Sequence, residues 1–290
     1  MRRVPPLTAL VLAVSSIVTA CGGGEEHEQP SEPPAELLAG AVANPARSGD
    51  SEIELDLALE GSSLLAGTTT VDAEGPFALE QAGGLPSFDL TVDAEVAGFG
   101  LDLDLVSTGD DAFLVFFGEN YRVGPELVAE ASAALGSAQG PGGGLGLDVA
   151  SWFRNPGYAG SESVAGTDTE RIEGTLDSDA AAADLADLAG GIGAPPLVGA
   201  LASGAESGPI EAWVAYDDKT IRRLRVQFPF TVPPAQQAHA GGISGGAVTL
   251  DAEISDVGAE VTVEPPEGGG FQPIEQLIDR LQDLASFGGI

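Results

Sequence analysis

The chain has 290 residues, of which 43% are hydrophobic, and it carries 45 acidic against 11 basic side chains, a formal net charge of −34. This composition supports a substantial core but argues against nucleic-acid binding, because a strongly negative surface repels phosphate backbones. The single cysteine rules out an intrachain disulfide and a zinc site built on a cysteine pair.

The first 21 residues have the layout of a lipoprotein export signal. Arg2 and Arg3 precede an apolar run at 7–19 that is too short for a permanent membrane span. The sequence Val18-Thr19-Ala20-Cys21 fits a lipobox, in which the cysteine thiol takes a diacylglycerol and the new N-terminus an acyl chain. Two or more chains are what stable anchoring requires. We predict a signal peptide at 1–20, lipid attachment at Cys21 and an extracytoplasmic protein on the outer face of the cell membrane. A secreted protein with an unpaired cysteine is the alternative.

Residues 21–49 are predicted to be a disordered tether. Three glycines after Cys21 are followed by glutamates and prolines, and no apolar periodicity occurs before Leu37. His27 lies in this segment, where a solvated imidazole is favoured over a metal ligand. The folded domain is therefore expected at 50–290.

Alternation of apolar and polar residues predicts several strands. In the stretch after Ser51, every second residue from Ile53 to Leu59 is apolar and its neighbours are mostly acidic, which is typical of a strand with one face in water. The same pattern occurs at 89–96, 101–105 and 248–254. The run AFLVFF, at 112–117, predicts a strand covered on both faces. Strands separated by short Gly and Asp turns indicate one extended antiparallel sheet.

Three helices are predicted. The first begins at Pro125 and is expected to end at Gly136, and the second is capped by Asp177 or Ser178 and ends at Gly190. The third covers 273–286 and is strongly two-faced. We expect this terminal helix to close the domain core, with docking on a partner as the alternative.

Motifs for catalysis or cofactor binding are weak. The glycine-rich stretch at 140–146 lacks the spacing of a dinucleotide or phosphate loop. Residues 242–246 match G-x-S-x-G, but a strand pattern follows Ser244 where a nucleophile elbow needs a helix. Two acidic pairs, Asp102 with Asp104 and Asp110 with Asp111, are interpreted as solvated rather than as calcium ligands. We therefore predict no catalytic residue, no metal and no cofactor.

Two stretches resemble the LppX/LprA/LprF/LprG lipoproteins of the LolA-like superfamily. Residues 164–177 match the pattern V-x-G-x-x-T-x-R-I-x-G, and residues 209–228 match a tryptophan-bearing strand that passes through an acidic turn into an arginine-rich strand. The resemblance implies an α+β fold with a single large curved antiparallel sheet, a half-barrel, and helices across its concave face. It also implies an apolar cavity that holds acyl chains of a lipid or lipoglycan.

Two alternatives concern the cavity and a basic cluster. The alanine-rich helices leave room for a ligand, and we favour a cavity. The alternative is a tightly filled core, in which case the chain would be an interaction module that docks on an envelope partner. The cluster at 219–225 is either a landing patch for anionic lipid or a set of cross-strand ion pairs, of which we favour the second. The residues predicted to line a cavity are Leu55, Leu57, Val92, Leu103, Leu105, Phe116, Leu224 and Val226.

Overall fold

The computed structural model describes residues 32–61, 67–79, 85–96, 98–138, 147–191, 204–237, 242–268 and 270–280. This part of the chain contains twelve strands. Their bounds are β1 (Ser48–Glu60), β2 (Gly67–Ala78), β3 (Ser87–Val96), β4 (Phe99–Thr108), β5 (Ala112–Phe116), β6 (Glu119–Val123), β7 (Phe153–Val164), β8 (Thr167–Leu176), β9 (Pro209–Ala215), β10 (Ile221–Thr231), β11 (Gly245–Ser255) and β12 (Gln272–Pro273).

All twelve strands form one open, curved sheet, with the spatial order β12-β6-β5-β4-β3-β2-β1-β11-β10-β9-β8-β7. Neighbouring strands are antiparallel except β12, which runs parallel to β6. The predicted α+β class with a single large curved antiparallel sheet is therefore confirmed.

Three longer helices accompany the sheet: α1 (Pro34–Ala43), α2 (Pro125–Ala138) and α3 (Ser178–Gly191). Shorter helical pieces are a 3-10 turn at Val149–Trp152, one turn at Pro234–Gln237 and the C-terminal helix, whose described residues are 274–280. A proline begins both α1 and α2, where its missing N–H costs nothing. Asp177 caps α3, since its Oδ1 accepts a hydrogen bond from the Ala180 N–H at 3.2 Å. None of the helices described has the length and apolarity needed to span a bilayer.

Helix α1 lies inside the range predicted to be a tether. Leu37 and Leu38 are 3% and 1% exposed and belong to the core around Trp152. The ordered domain therefore begins before α1 rather than near residue 50. The helix is short and its apolar signal is one leucine pair plus alanines, which is too little to register as periodicity.

Four of the five predicted strands lie within observed strands, and the boundaries of the fifth strand and of one helix were wrong. Helix α2 continues past Gly136 to Ala138. Strand β5 ends at Phe116, and Phe117 is 78% exposed in the following turn, so the run AFLVFF is not covered along its whole length. The predicted glycine-rich loop at 140–146 and the second half of the predicted terminal helix lie outside the described residues.

The resemblance also implied helices across the concave face of the sheet. Within the described residues, α1, the 3-10 turn and α3 pack on the β7 to β10 end of one face, and α2 packs on α3. The described helical contacts therefore cover only part of that face, which leaves the remainder as the candidate site.

Candidate functional site

One face of the sheet is apolar across most of its width; we name it the apolar face. Because side chains alternate along each strand and paired residues share a face, the antiparallel register brings the alternating aliphatic residues side by side. One row across seven strands consists of Leu224, Ala252, Ile53, Ala73, Val92, Leu103 and Phe116, and the adjacent row across six strands consists of Val226, Leu250, Leu55, Val71, Ala94 and Leu101. No polar side chain interrupts either row.

Helices cover the apolar face at the β8 to β10 end. Leu38 of α1, Trp152 of the 3-10 turn and Ala181 of α3 pack with Ile172 and Val226 in one cluster, and both of the latter are 0% exposed. The Trp152 indole N–H donates to Asp184 of α3 at 2.8 Å, which ties the 3-10 turn to that helix. This end of the apolar face is a packed core.

The apolar face over β11 and β1 to β5 is different, and we name it the open section. Val92 is buried, and Leu57, Leu59 and Val248 pack on a small cluster formed by Phe230, Val232 and Ile243. The other aliphatic side chains of the open section are only half-buried, and they include Ile53, Leu55, Leu90, Leu101, Leu103, Leu105 and Leu250. An apolar surface of this extent is the feature that a ligand-binding site of low polarity requires.

The eight residues predicted to line a cavity all lie on the apolar face. Leu55, Leu57, Val92, Leu103, Leu105 and Phe116 belong to the open section. Val226 lies in the packed core beneath the helices, and Leu224 packs against the same core. The predicted lipid attachment site, Cys21, lies outside the described residues.

A polar network lies at the β6 end of the apolar face, opposite the packed core. Tyr121 pairs with Leu114 of β5, and its ring is 1% exposed. Its hydroxyl donates to Glu119 at 2.5 Å, and Arg280 of the C-terminal helix donates to the same carboxylate at 2.6 Å. These hydrogen bonds, from Tyr121 and then Arg280, lower the pKa of Glu119. These hydrogen bonds join the C-terminal helix to β6.

Sequence reasoning missed a buried carboxylate on β8. Glu170 shares the apolar face with Ile172 and is 1% exposed. Its Oε2 accepts a hydrogen bond from the Tyr216 hydroxyl at 2.6 Å, while Oε1 has no hydrogen-bond partner within the described residues. Burial, then the hydrogen bond with Glu170, raise the pKa of Tyr216. The alternation in TDTERIEG, which places Glu170 on the same side as Ile172, was the available signal.

The other face of the same strands is acidic; we name it the acidic face. The register aligns Asp251, Glu54, Asp72, Asp93 and Asp102 in one row across five strands. A hydrogen bond with Asp102, then burial, then repulsion from that carboxylate and its neighbours raise the pKa of Asp93. A polar groove of about 470 Å³ opens on this face between Glu52, Glu74 and Glu253. Its lining is unlike a site for acyl chains.

The basic cluster is engaged in ion pairs. Arg223 donates to both oxygens of Asp251, at 2.8 and 2.7 Å, and its guanidinium lies 5.2 Å from the centre of the Trp213 ring. Arg225 lies 3.7 Å from Asp251, and Arg222 pairs with Asp218 at 2.6 Å. These contacts support the interpretation as cross-strand and turn pairing over that of a landing patch for anionic lipid.

Ser244 and Asp111, from the remaining motifs, lie within the described residues. Ser244 directly precedes β11, so the G-x-S-x-G stretch leads into a strand rather than a helix. Asp111 receives a bidentate pair of hydrogen bonds from Arg122. Among the described residues, the ligand-type side chains form no group of three or more that could hold a metal ion.

No protein family model matches the sequence, and no curated protein matches it significantly. Solved structures with similar folds include LprF from Mycobacterium bovis, with 18% identity, a TM-score of 0.47 and coverage of 81% of this chain and 97% of that one. Lipoprotein LppX from Mycobacterium tuberculosis has 15% identity, a TM-score of 0.40 and coverage of 79% and 96%. A LolA superfamily protein from Nitrosomonas europaea has 10% identity, a TM-score of 0.23 and coverage of 78% and 95%. These likenesses are to the group that the sequence resembles, and at these identities and scores they say nothing about what this chain binds.

Proposed function

We propose that this chain is a lipid-anchored protein of the cell envelope that binds or shuttles the acyl chains of a lipid or lipoglycan on the open section of its apolar face. The observation that carries the proposal is the pair of uninterrupted aliphatic rows, whose members are largely half-buried where the described helices leave the face. The proposed anchor is the diacylglycerol on Cys21, at the outer face of the membrane.

The dimensions of the open section suit acyl chains. Six adjacent strands, from β11 to β5, span about 24 Å at roughly 4.8 Å per strand, and the side chains from Ile53 to Leu59 extend about 20 Å along β1. A chain with about 14 buried methylene groups contributes about 11 kcal/mol at ~0.8 kcal/mol each. Association costs about 4 to 15 kcal/mol, so binding needs most of the chain in contact rather than a short end.

The decisive experiment is native mass spectrometry of residues 22–290, which contain the whole compact unit Glu32–Ile290. We expect a stoichiometric adduct that extracts into organic solvent as an acylated lipid. The variant Leu103→Trp fills the open section and should abolish the adduct. The matched control is Thr91→Trp, which places the same bulk on the acidic face of the neighbouring strand, where Thr91 is exposed.

The alternative is an interaction module with a filled core. A protein that stays bare after incubation with lipid vesicles, with Leu103→Trp no different from Thr91→Trp, would reject lipid binding and favour that alternative. The anchor is tested separately: Cys21→Ser should move the protein from the membrane fraction to the soluble fraction, and intact-mass analysis of the mature chain should show loss of the acyl mass.

A further inference from the structure

The chain passes around one edge of the sheet before it enters the C-terminal helix. Strand β12 is the outermost strand and pairs with β6. Just before β12, Phe271 packs on Phe113 with their ring centres 4.9 Å apart, and Phe113 lies on the side of β5 opposite to the apolar face. After β12, the helix at 274–280 lies on the apolar side, where Arg280 donates to the hydroxyl of Tyr121. The helix is therefore held from both faces of the same edge.

The C-terminal helix borders the open section. One register row on the apolar face runs through Leu90, Leu105, Leu114 and Tyr121, on the four strands from β3 to β6. The three leucines are half-buried, whereas the Tyr121 ring at the end of the row is 1% exposed. An acyl chain that lies along this row therefore meets the helix where the row reaches β6.

The helix is held by few buried groups. Among residues 274–280 only Leu277 is buried. At the far end of this segment, the ion pair of Arg280 with Glu119 joins side chains that are 52% and 45% exposed, and pairs as exposed as this contribute little to stability. The other limit of the open section is the close-packed core beneath the helices at the β8 to β10 end. Of these two limits, the C-terminal helix is the one that opens at the lower cost in free energy.

We propose that the C-terminal helix is a gate of the open section: it rotates about β12, with Phe271 held on the opposite face, and admits or releases an acyl chain beside β6. This inference rests on the proposed function, because it assigns the route by which the acyl chain reaches its site. The ion pair between Arg280 and Glu119 holds the closed state. If the gate closes equally over the empty and the loaded site, a change that favours the open state speeds entry and exit by the same factor and leaves the affinity unchanged.

Stopped-flow fluorescence tests the gate, with residues 22–290 and a phosphatidylcholine that carries a pyrene-labelled acyl chain. Arg280→Ala removes the ion pair with Glu119. The matched control, Arg122→Ala, removes the pair with Asp111 from the same strand, β6, and the two arginine side chains are 52% and 53% exposed. We expect Arg280→Ala to raise the association and dissociation rate constants together, about fivefold or more, with an unchanged Kd. Arg122→Ala should leave both rate constants as they are in the parent chain.

A cleavable crosslink tests the opposite change, in which the gate is held closed. Residues 22–290 contain no cysteine, because the single cysteine of the chain is Cys21. The pair Glu119→Cys and Arg280→Cys is joined by a short bis-maleimide with a reducible bond. We expect both rate constants to fall about tenfold or more, and cleavage of the linker to restore them. The same linker between Asp111→Cys and Arg122→Cys should change neither rate constant. Unchanged rate constants in the protein crosslinked from position 119 to 280 would refute the gate.

The outcomes distinguish this inference from the proposed function. A parent chain that binds no pyrene-labelled lipid would reject the acyl-chain site and the gate together. Binding with identical rate constants in the parent chain, Arg280→Ala and Arg122→Ala would keep the acyl-chain site and reject the gate. A weaker affinity of Arg280→Ala, caused by a raised dissociation rate constant alone, would make the helix part of the binding surface, which also counts against the gate.

Discussion

The contrast between the packed core and the open section predicts that a Leu→Ala substitution lowers the free energy of unfolding by different amounts in the two places. Leu176 is 0% exposed in the cluster beneath the helices, whereas Leu103 is half-buried in the open section. Both lie on strands and both face the apolar side. Leu176→Ala and Leu103→Ala therefore remove the same atoms from two environments that differ mainly in what covers them.

The magnitude follows from that difference. Leu176→Ala loses transfer free energy and leaves a cavity in a close-packed cluster, so we expect a loss of about 3 kcal/mol in the free energy of unfolding. Leu103→Ala removes atoms that already contact solvent, and without a closed void the loss should be about 1 kcal/mol. With a urea slope of about 2.5 kcal/mol/M, the midpoints fall by about 1.2 M and about 0.4 M.

The assay is urea unfolding of delipidated protein, repeated with an acyl ligand in excess. A ligand at about 100 times its Kd adds about 2.7 kcal/mol to the parent chain. Leu176→Ala should retain this gain and Leu103→Ala should lose part of it. Equal losses near 3 kcal/mol in the delipidated state, with no ligand-dependent difference, would show that the open section is packed as tightly as the rest, and the reasoning would fail.

Three further predictions concern charge. Asp93→Asn should raise the thermal midpoint of unfolding at neutral pH, because the raised pKa of Asp93 means that its ionised form is unfavourable in the folded state. The gain should vanish as the pH falls below the ordinary Asp pKa of 3.8, and an unchanged midpoint at neutral pH would contradict the prediction. Asp177→Ala should lower the thermal midpoint, because hydrogen bonds from Arg154 and the α3 backbone hold the pKa of Asp177 below 3.8 in the folded state. The stability that Asp177 contributes is complete above pH 3.8 and is lost as the pH falls through its lower pKa in the folded state. A difference in midpoint between Asp177→Ala and the parent chain that persisted in strong acid would count against this prediction. Arg280→Ala should speed hydrogen exchange at 274–280 while leaving β8 to β10 protected, and unchanged exchange there would show that the contact with Glu119 does not hold the helix.

Alternation predicted the strands that have one wet face, and it failed where the pattern is broken. Strand β1 was visible because four aliphatic residues alternate with acids, whereas in β2 three threonines follow Gly67 and the alternation is broken by Gly75 and Pro76. Helix α1 was missed because its burial depends on a distant partner, the 3-10 turn, and not on its own periodicity.

The candidate site was predictable in composition but not in exposure. Seven of the eight predicted positions follow from period-two alternation, and Phe116 joins them on the apolar face through its pairing with Leu103. Whether a helix lies above each one depends on chain connections far away in sequence. For this reason Val226, beneath the helices, and Leu103, in the open section, were indistinguishable before the fold was known.

The acidic face has a consequence for the uniqueness of the fold. A slip of one residue in any of the central strand pairs would turn carboxylates such as Glu54 and Asp72 toward the apolar side and leucines toward water. Burying an unpaired carboxylate is far more costly than repacking aliphatic groups. The free-energy penalty for misalignment, rather than close packing of side chains, therefore fixes the strand register. An apolar surface can then stay loosely packed and adaptable while the chain still folds to a single topology.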